Sequence, residues 1–149
     1  MPRGQIILVR GDGTAVLLDL GACWIRGAQT LTVGSLPPGT PIHRSPEAVA
    51  FRERFRRDSE ARYESRPQDD LYSLGVTAYR LATGKYPPEA GSSGMRLPPG
   101  ALCRMDSTLE ALEALILRML SPEREARGTA SQLAQALEAA AASTRKSLD

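Results

Sequence analysis

The residues with chemistry to offer stand in short motifs strung along the chain. They are Asp19-Leu20-Gly21, Gly39-Thr40-Pro41, Ser45-Pro46-Glu47, Asp70-Leu71-Tyr72-Ser73-Leu74-Gly75 and Arg127-Gly128-Thr129-Ala130. Asp19, Glu47 and Asp70 bring carboxylates, which are hard oxygen ligands and acceptors of charge-assisted hydrogen bonds. Thr40 brings a hydroxyl, and Arg127 a planar guanidinium shaped for a two-pronged carboxylate contact. Each motif alone occurs by chance in many proteins, so the information lies in their order and spacing. Thiolate and imidazole chemistry has little to work with. Cys23 and Cys103 belong to no CxxC pair and His43 is the single histidine, so no structural zinc site is expected and the cysteines read as reduced thiols.

The surrounding pattern says what must hold these residues in place. Ile6 to Arg10 and Thr14 to Leu18 read as two strands, with Gly11-Asp12-Gly13 as the turn of a β-hairpin. Gly27, Gly34, Pro37, Pro38 and Gly39 break residues 21–40 into a long loop. Ser45 as N-cap, Pro46 at the first helical position and Glu47 near the positive end of the dipole open a short helix. Residues 52–68 are charged and irregular, and their interleaved arginines and acids read as a solvated linker, with a basic docking patch as the alternative. From Asp70, which also serves as N-cap, a helix carries Leu71, Leu74, Ala78 and Leu81 on one face, widened by Val76 and Tyr79, and ends at Gly84. Ser107-Thr108-Leu109-Glu110 and Thr129-Ala130-Ser131-Gln132 are capping boxes for two more helices, and the tail from 143 is expected to fray. The fold class is thus α+β and mostly α, with one N-terminal hairpin, a long loop and about four helices.

As an ordered set over residues 6–138, the motifs resemble the protein kinase family, in particular bacterial Ser/Thr kinases of the eukaryotic type. The matching portion is the C-lobe from just after the catalytic loop. The resemblance implies a partial kinase domain over 1–142 with an activation-type loop, followed by a frayed tail over 143–149. It makes Asp19 the counterpart of the Mg²⁺-binding Asp of Asp-Phe-Gly, and ATP and Mg²⁺ the family's cofactors. Gly39, Thr40 and Pro41 match the loop that receives the substrate residue. Glu47 matches the Glu of Ala-Pro-Glu, whose partner is a buried Arg matched here by Arg127. Asp70 matches the helix Asp that fixes the backbone of the catalytic loop.

The pattern fails at the catalytic loop itself. Its Asp and Asn positions fall at Met1 and Ile6, and the chain contains no His-Arg-Asp, so no catalytic residue is intact. Phosphoryl transfer depends on positioning and electrostatics. The isolated chain is therefore expected to use no cofactor and to transfer no phosphate. A binding role remains, toward a protein partner or through self-association, using an apolar face of the 70–83 helix that the missing part of the domain would leave exposed. The rival reading is the C-terminal part of an active, ATP-dependent Ser/Thr kinase. A third, an unrelated helical adaptor, would make the ordered motifs a coincidence. The net charge of +2, from 19 basic and 17 acidic residues, gives no reason to expect nucleic acid. No apolar run reaches membrane-span length and no signal-peptide core follows Met1, so a cytoplasmic location is expected.

Overall fold

The structure, a computed structural model, describes residues 7–17, 35–36, 39–88 and 110–148. Strands β1 (Ile7–Val9) and β2 (Ala15–Leu17) form an antiparallel hairpin with Ile7 opposite Leu17 and Val9 opposite Ala15. The turn between them closes when Thr14 N–H donates to Asp12 Oδ1 at 2.8 Å, and Gly13 takes the left-handed φ of 84° that favours glycine. Leu8 and Val9 remain exposed.

Helix α1 spans Pro46–Arg54 and is capped by Ser45, whose Oγ accepts from Ala48 N–H at 3.3 Å. Helix α2 spans Pro67–Thr83, beginning three residues ahead of Asp70. The sequence reading of Asp70 as N-cap is thereby corrected. Arg66 is the cap residue, and the Asp69 carboxylate reaches back to accept from Arg66 N–H at 2.8 Å. Pro67, with its preset φ, makes the earlier start favourable. Gly84 ends α2 in the left-handed conformation, φ 72°, donating its N–H to the Arg80 carbonyl at 2.8 Å.

Helix α3 is described over Glu110–Met119, so the capping box read at Ser107 to Leu109 lies outside the described residues. Helix α4 spans Ala130–Leu148. At its start Gln132 N–H donates to Thr129 Oγ1 at 3.2 Å and Thr129 N–H donates to Gln132 Oε1 at 3.0 Å, which is a reciprocal capping box. The backbone stays helical through the 143–148 stretch read from the sequence as a fraying tail, in keeping with the helix propensity of the alanines before it.

The core lies where α2, α3 and α4 meet. Leu71, Tyr79, Leu115, Ile116, Met119 and Leu133 are buried together. Gly75 sits at the α2–α3 crossing, where a Cβ would stand 2.8 Å from Met119 Cβ. The predicted face of α2 holds at Leu71, Val76 and Tyr79 and is corrected at Leu74 and Leu81. Leu74 is 45% and Leu81 79% exposed, and the buried stripe is Leu71, Tyr72, Gly75, Val76 and Tyr79. Apolar side chains occur on both sides of this helix, so spacing alone fits either side. The missing side chain of Gly75 lets α3 approach and selects the buried one. The fold is α+β and mostly helical, a two-stranded hairpin with four α-helices among the described residues. Among those residues no helix is long and apolar enough to cross a membrane.

Candidate functional site

Glu47 projects from the first turn of α1, and Arg127 from a single 3-10 turn (Glu125–Arg127) just before α4. The structure brings them together. Arg127 Nη2 donates to Glu47 Oε1 at 2.9 Å and to Oε2 at 3.0 Å. Arg127 is 0% exposed, and its other nitrogens also donate. Nε donates to the Ser121 carbonyl at 2.8 Å and Nη1 to the Gln68 carbonyl at 3.3 Å. The cation also lies 5.1 Å from the centre of the Tyr72 ring. One buried cation thus ties α1, the start of α2 and the α3–α4 connection into a single joint.

Three residues not singled out from the sequence extend this joint. Arg124 Nε stands 3.8 Å from Glu47 Oε1, so two arginines converge on one carboxylate. Arg124 Nη2 donates to Tyr63 Oη at 2.6 Å and to Asp69 Oδ1 at 3.4 Å. Asp69 collects four partners: Arg66 N–H, Arg124, the Tyr63 hydroxyl at 3.1 Å and the Ser45 hydroxyl at 2.7 Å. Ser45 therefore donates to Asp69 while capping α1. Arg124 could have been suspected from its place three residues before Arg127, one turn away. Tyr63 carries no such signal, because only the fold brings residue 63 to residue 124.

Beside this joint, at the α2 N-terminus, lies an open cleft of about 120 Å³, lined in part by Gly39, Thr40, His43, Asp70 and Ser73 and also by Ser45, Tyr63 and Asp69 of the joint. A 3-10 turn at Pro41–His43 is held to α2 by Ser73 Oγ, which donates to the His43 carbonyl at 2.7 Å. Tyr86 packs edge-on against the His43 ring, with centroids 5.9 Å apart. Gly39, Thr40 and Asp70 are therefore brought to one concavity, whose lining includes neither Glu47 nor Arg127. Asp70 keeps much of its surface in water, and no hydrogen-bond partner for its carboxylate stands among the described residues. Burial of that carboxyl pushes it above the ordinary carboxylate range, and the neighbouring Asp69 charge adds to the rise.

Asp19, Met1 and Ile6 lie outside the described residues, as do Cys23 and Cys103. Among the described residues no group of three His, Cys, Asp or Glu side chains is placed to hold a metal ion.

No family model matches the chain. It is 33% identical over 114 residues to the serine/threonine-protein kinase PknL of Mycobacterium tuberculosis, covering 76% of this chain and 25% of the relative. It is 28% identical over 134 residues to a probable protein kinase of Dictyostelium discoideum, covering 88% of this chain and 33% of the relative. It is 32% identical over 127 residues to the serine/threonine-protein kinase mig-15 of Caenorhabditis elegans, covering 79% of this chain and 11% of the relative. The chain is related to Ser/Thr protein kinases along most of its length, and it spans a third or less of the length of these relatives.

Proposed function

We propose that residues 1–142 are the C-lobe part of a Ser/Thr-kinase-like domain, acting as a protein-binding module that does not transfer phosphate by itself. The observation that carries this reading is the cleft at the start of α2. There the Asp70 carboxylate faces Thr40 and His43 with no hydrogen-bond partner among the described residues. A carboxylate so placed is suited to accept N–H groups from an inserted polypeptide segment. Leu74 and Leu81, exposed on the same helix, add apolar surface for a protein partner or a second copy. A cytoplasmic location goes with this reading.

The sequence contains no His-Arg-Asp. ATP and Mg²⁺ enter through the kinase relationship. Asp19 is the residue that would hold the metal, whose chemistry is to neutralise charge on the transferred phosphoryl group.

A second reading is the C-terminal part of an active ATP-dependent kinase. It is favoured by the fraction of each relative matched, for example 25% of PknL. A thermal melt of the purified chain with and without Mg²⁺-ATP separates the two at the level of this chain. A ligand that binds only the folded state adds about 2.7 kcal/mol at a hundredfold excess over Kd. We expect a cooperative melt with no shift. A clear upward shift would reveal a nucleotide site and overturn the binding-module reading.

A further inference from the structure

Residues 52–62 carry five arginines against three acids, an excess equal to the net +2 of the whole chain. Within it Arg54, Arg56 and Arg57 place three arginines in four residues, and neither the Glu47 joint nor the Asp70 cleft uses them. Arg54, Arg56 and Arg57, with Glu53, line an open concavity of about 390 Å³ at the end of α1. Arg54 stacks on the Phe55 ring at 5.2 Å, while Arg56 and Arg57 are exposed.

Two residues after Arg57 comes Ser59, exposed in a bend that belongs to no helix or strand. The bend is pinned from both sides. Asp58 Oδ1 accepts from Glu60 N–H at 2.9 Å and from Ala61 N–H at 3.1 Å. Arg62 Nη1 donates to the Ser59 carbonyl at 2.6 Å. A hydroxyl is thus presented on irregular, solvated backbone. Two guanidinium groups precede it by two and three residues, and a third is held at its own peptide group.

We propose that Ser59 is a phosphoacceptor for a separate, active Ser/Thr protein kinase whose acidic cleft grips Arg56 and Arg57. The inference stands independently of the binding-module reading. In the reaction Ser59 Oγ attacks the γ-phosphorus of ATP, the bond from that phosphorus to the β,γ-bridging oxygen breaks, and ADP leaves. The hydroxyl proton passes to the carboxylate base of the modifying enzyme. The added group carries about −1.5 to −2 charges at neutral pH, which cancels the excess of the 52–62 stretch. Two Cα–Cα steps place Ser59 within about 7 Å of Arg57, inside the reach of an arginine side chain, and Arg62 is already at its carbonyl. Asp58 and Glu60 oppose the new charge, and the arginines outnumber them.

The test treats the purified full chain with an arginine-directed Ser/Thr kinase and Mg²⁺-ATP, reading intact mass and the modified residue by fragmentation. We expect one phosphoryl group, at Ser59, and none in Ser59→Ala. Replacing Arg56 and Arg57 together by Ala should slow incorporation by at least about tenfold, as for loss of one charge-assisted contact. All three residues are exposed, so unchanged melting temperatures will show that the variants remain folded. No incorporation, incorporation at Ser65 instead, or an undiminished rate in the double variant would overturn the assignment. Phosphorus NMR titration of the modified chain should give a second pKa below about 6, rising toward 6 in Arg62→Ala. An equal pKa in both would sink the role given to Arg62.

Discussion

Asp69 and Asp70 are neighbours in the first turn of α2 and live in opposite circumstances. Asp69 faces the joint, where it accepts from Ser45, Tyr63, Arg66 and Arg124. Asp70, one residue and about 100° further round the helix, faces the cleft with no hydrogen-bond partner among the described residues and a carboxyl pushed up by burial. The first arrangement stabilises the fold. The second keeps a polar group ready at some cost to stability, as sites of interaction commonly do. Both carboxylates line the cleft, and the direction in which each side chain leaves the helix decides which of them finds partners.

The contrast can be broken from its strongest point downward. Arg127→Ala leaves Glu47 beside emptied space and unties three segments at once, and Glu47→Ala leaves a fully buried cation without its carboxylate. Each should lower stability by about 3–5 kcal/mol in a denaturant melt, the usual cost of halving a buried pair. Unchanged melting in both would remove the joint from the account. Asp69→Ala should cost less, about 1–3 kcal/mol, because it removes hydrogen bonds to a charged group and a helix cap while Arg124 keeps Tyr63 and Glu47 nearby.

Asp70→Asn should have the opposite sign and the smallest size. The carboxyl's folded pKa lies above its unfolded value, so the folded chain holds the proton more tightly. The favourable contribution of the protonated form fades as pH rises through the raised pKa. At neutral pH the charged Asp70 is therefore unfavourable to folding, and Asn should raise the melting temperature slightly. Well below the ordinary value of 3.8 both states are protonated, and the advantage of Asn should vanish. A drop in stability at neutral pH, of the kind expected for Asp69→Ala, would show that Asp70 is a structural residue after all.

Much of this was legible along the chain, where the interactions are local. The Asp-Gly hairpin turn, the Ser45 cap, the Gly84 stop and the Thr129–Gln132 box involve residues at most four apart, so residue type and spacing suffice to read them. The start of α2 was misread because Asp69 and Asp70 are chemically alike, and only the backbone shows which one reaches back to Arg66. On the buried face of α2, Leu71, Val76 and Tyr79 were legible, while Leu74 and Leu81 were misplaced because they fit an apolar stripe equally well. The close approach of Met119 to Gly75 decided the matter.

The sequence by itself determined the order of the elements, their local turns and most of their caps, and the set of charged residues available to join them. Tertiary structure alone decided which charges meet. Arg124 and Arg127 converge on Glu47 across roughly eighty residues, and Tyr63 joins Arg124 from sixty-one residues away. The physical reason is that a charge loses its solvation when buried, and only a partner carried in by another segment can replace it. The arginines of 52–62 have the same chemistry as Arg127. They stay in water because the fold brings no core to cover them.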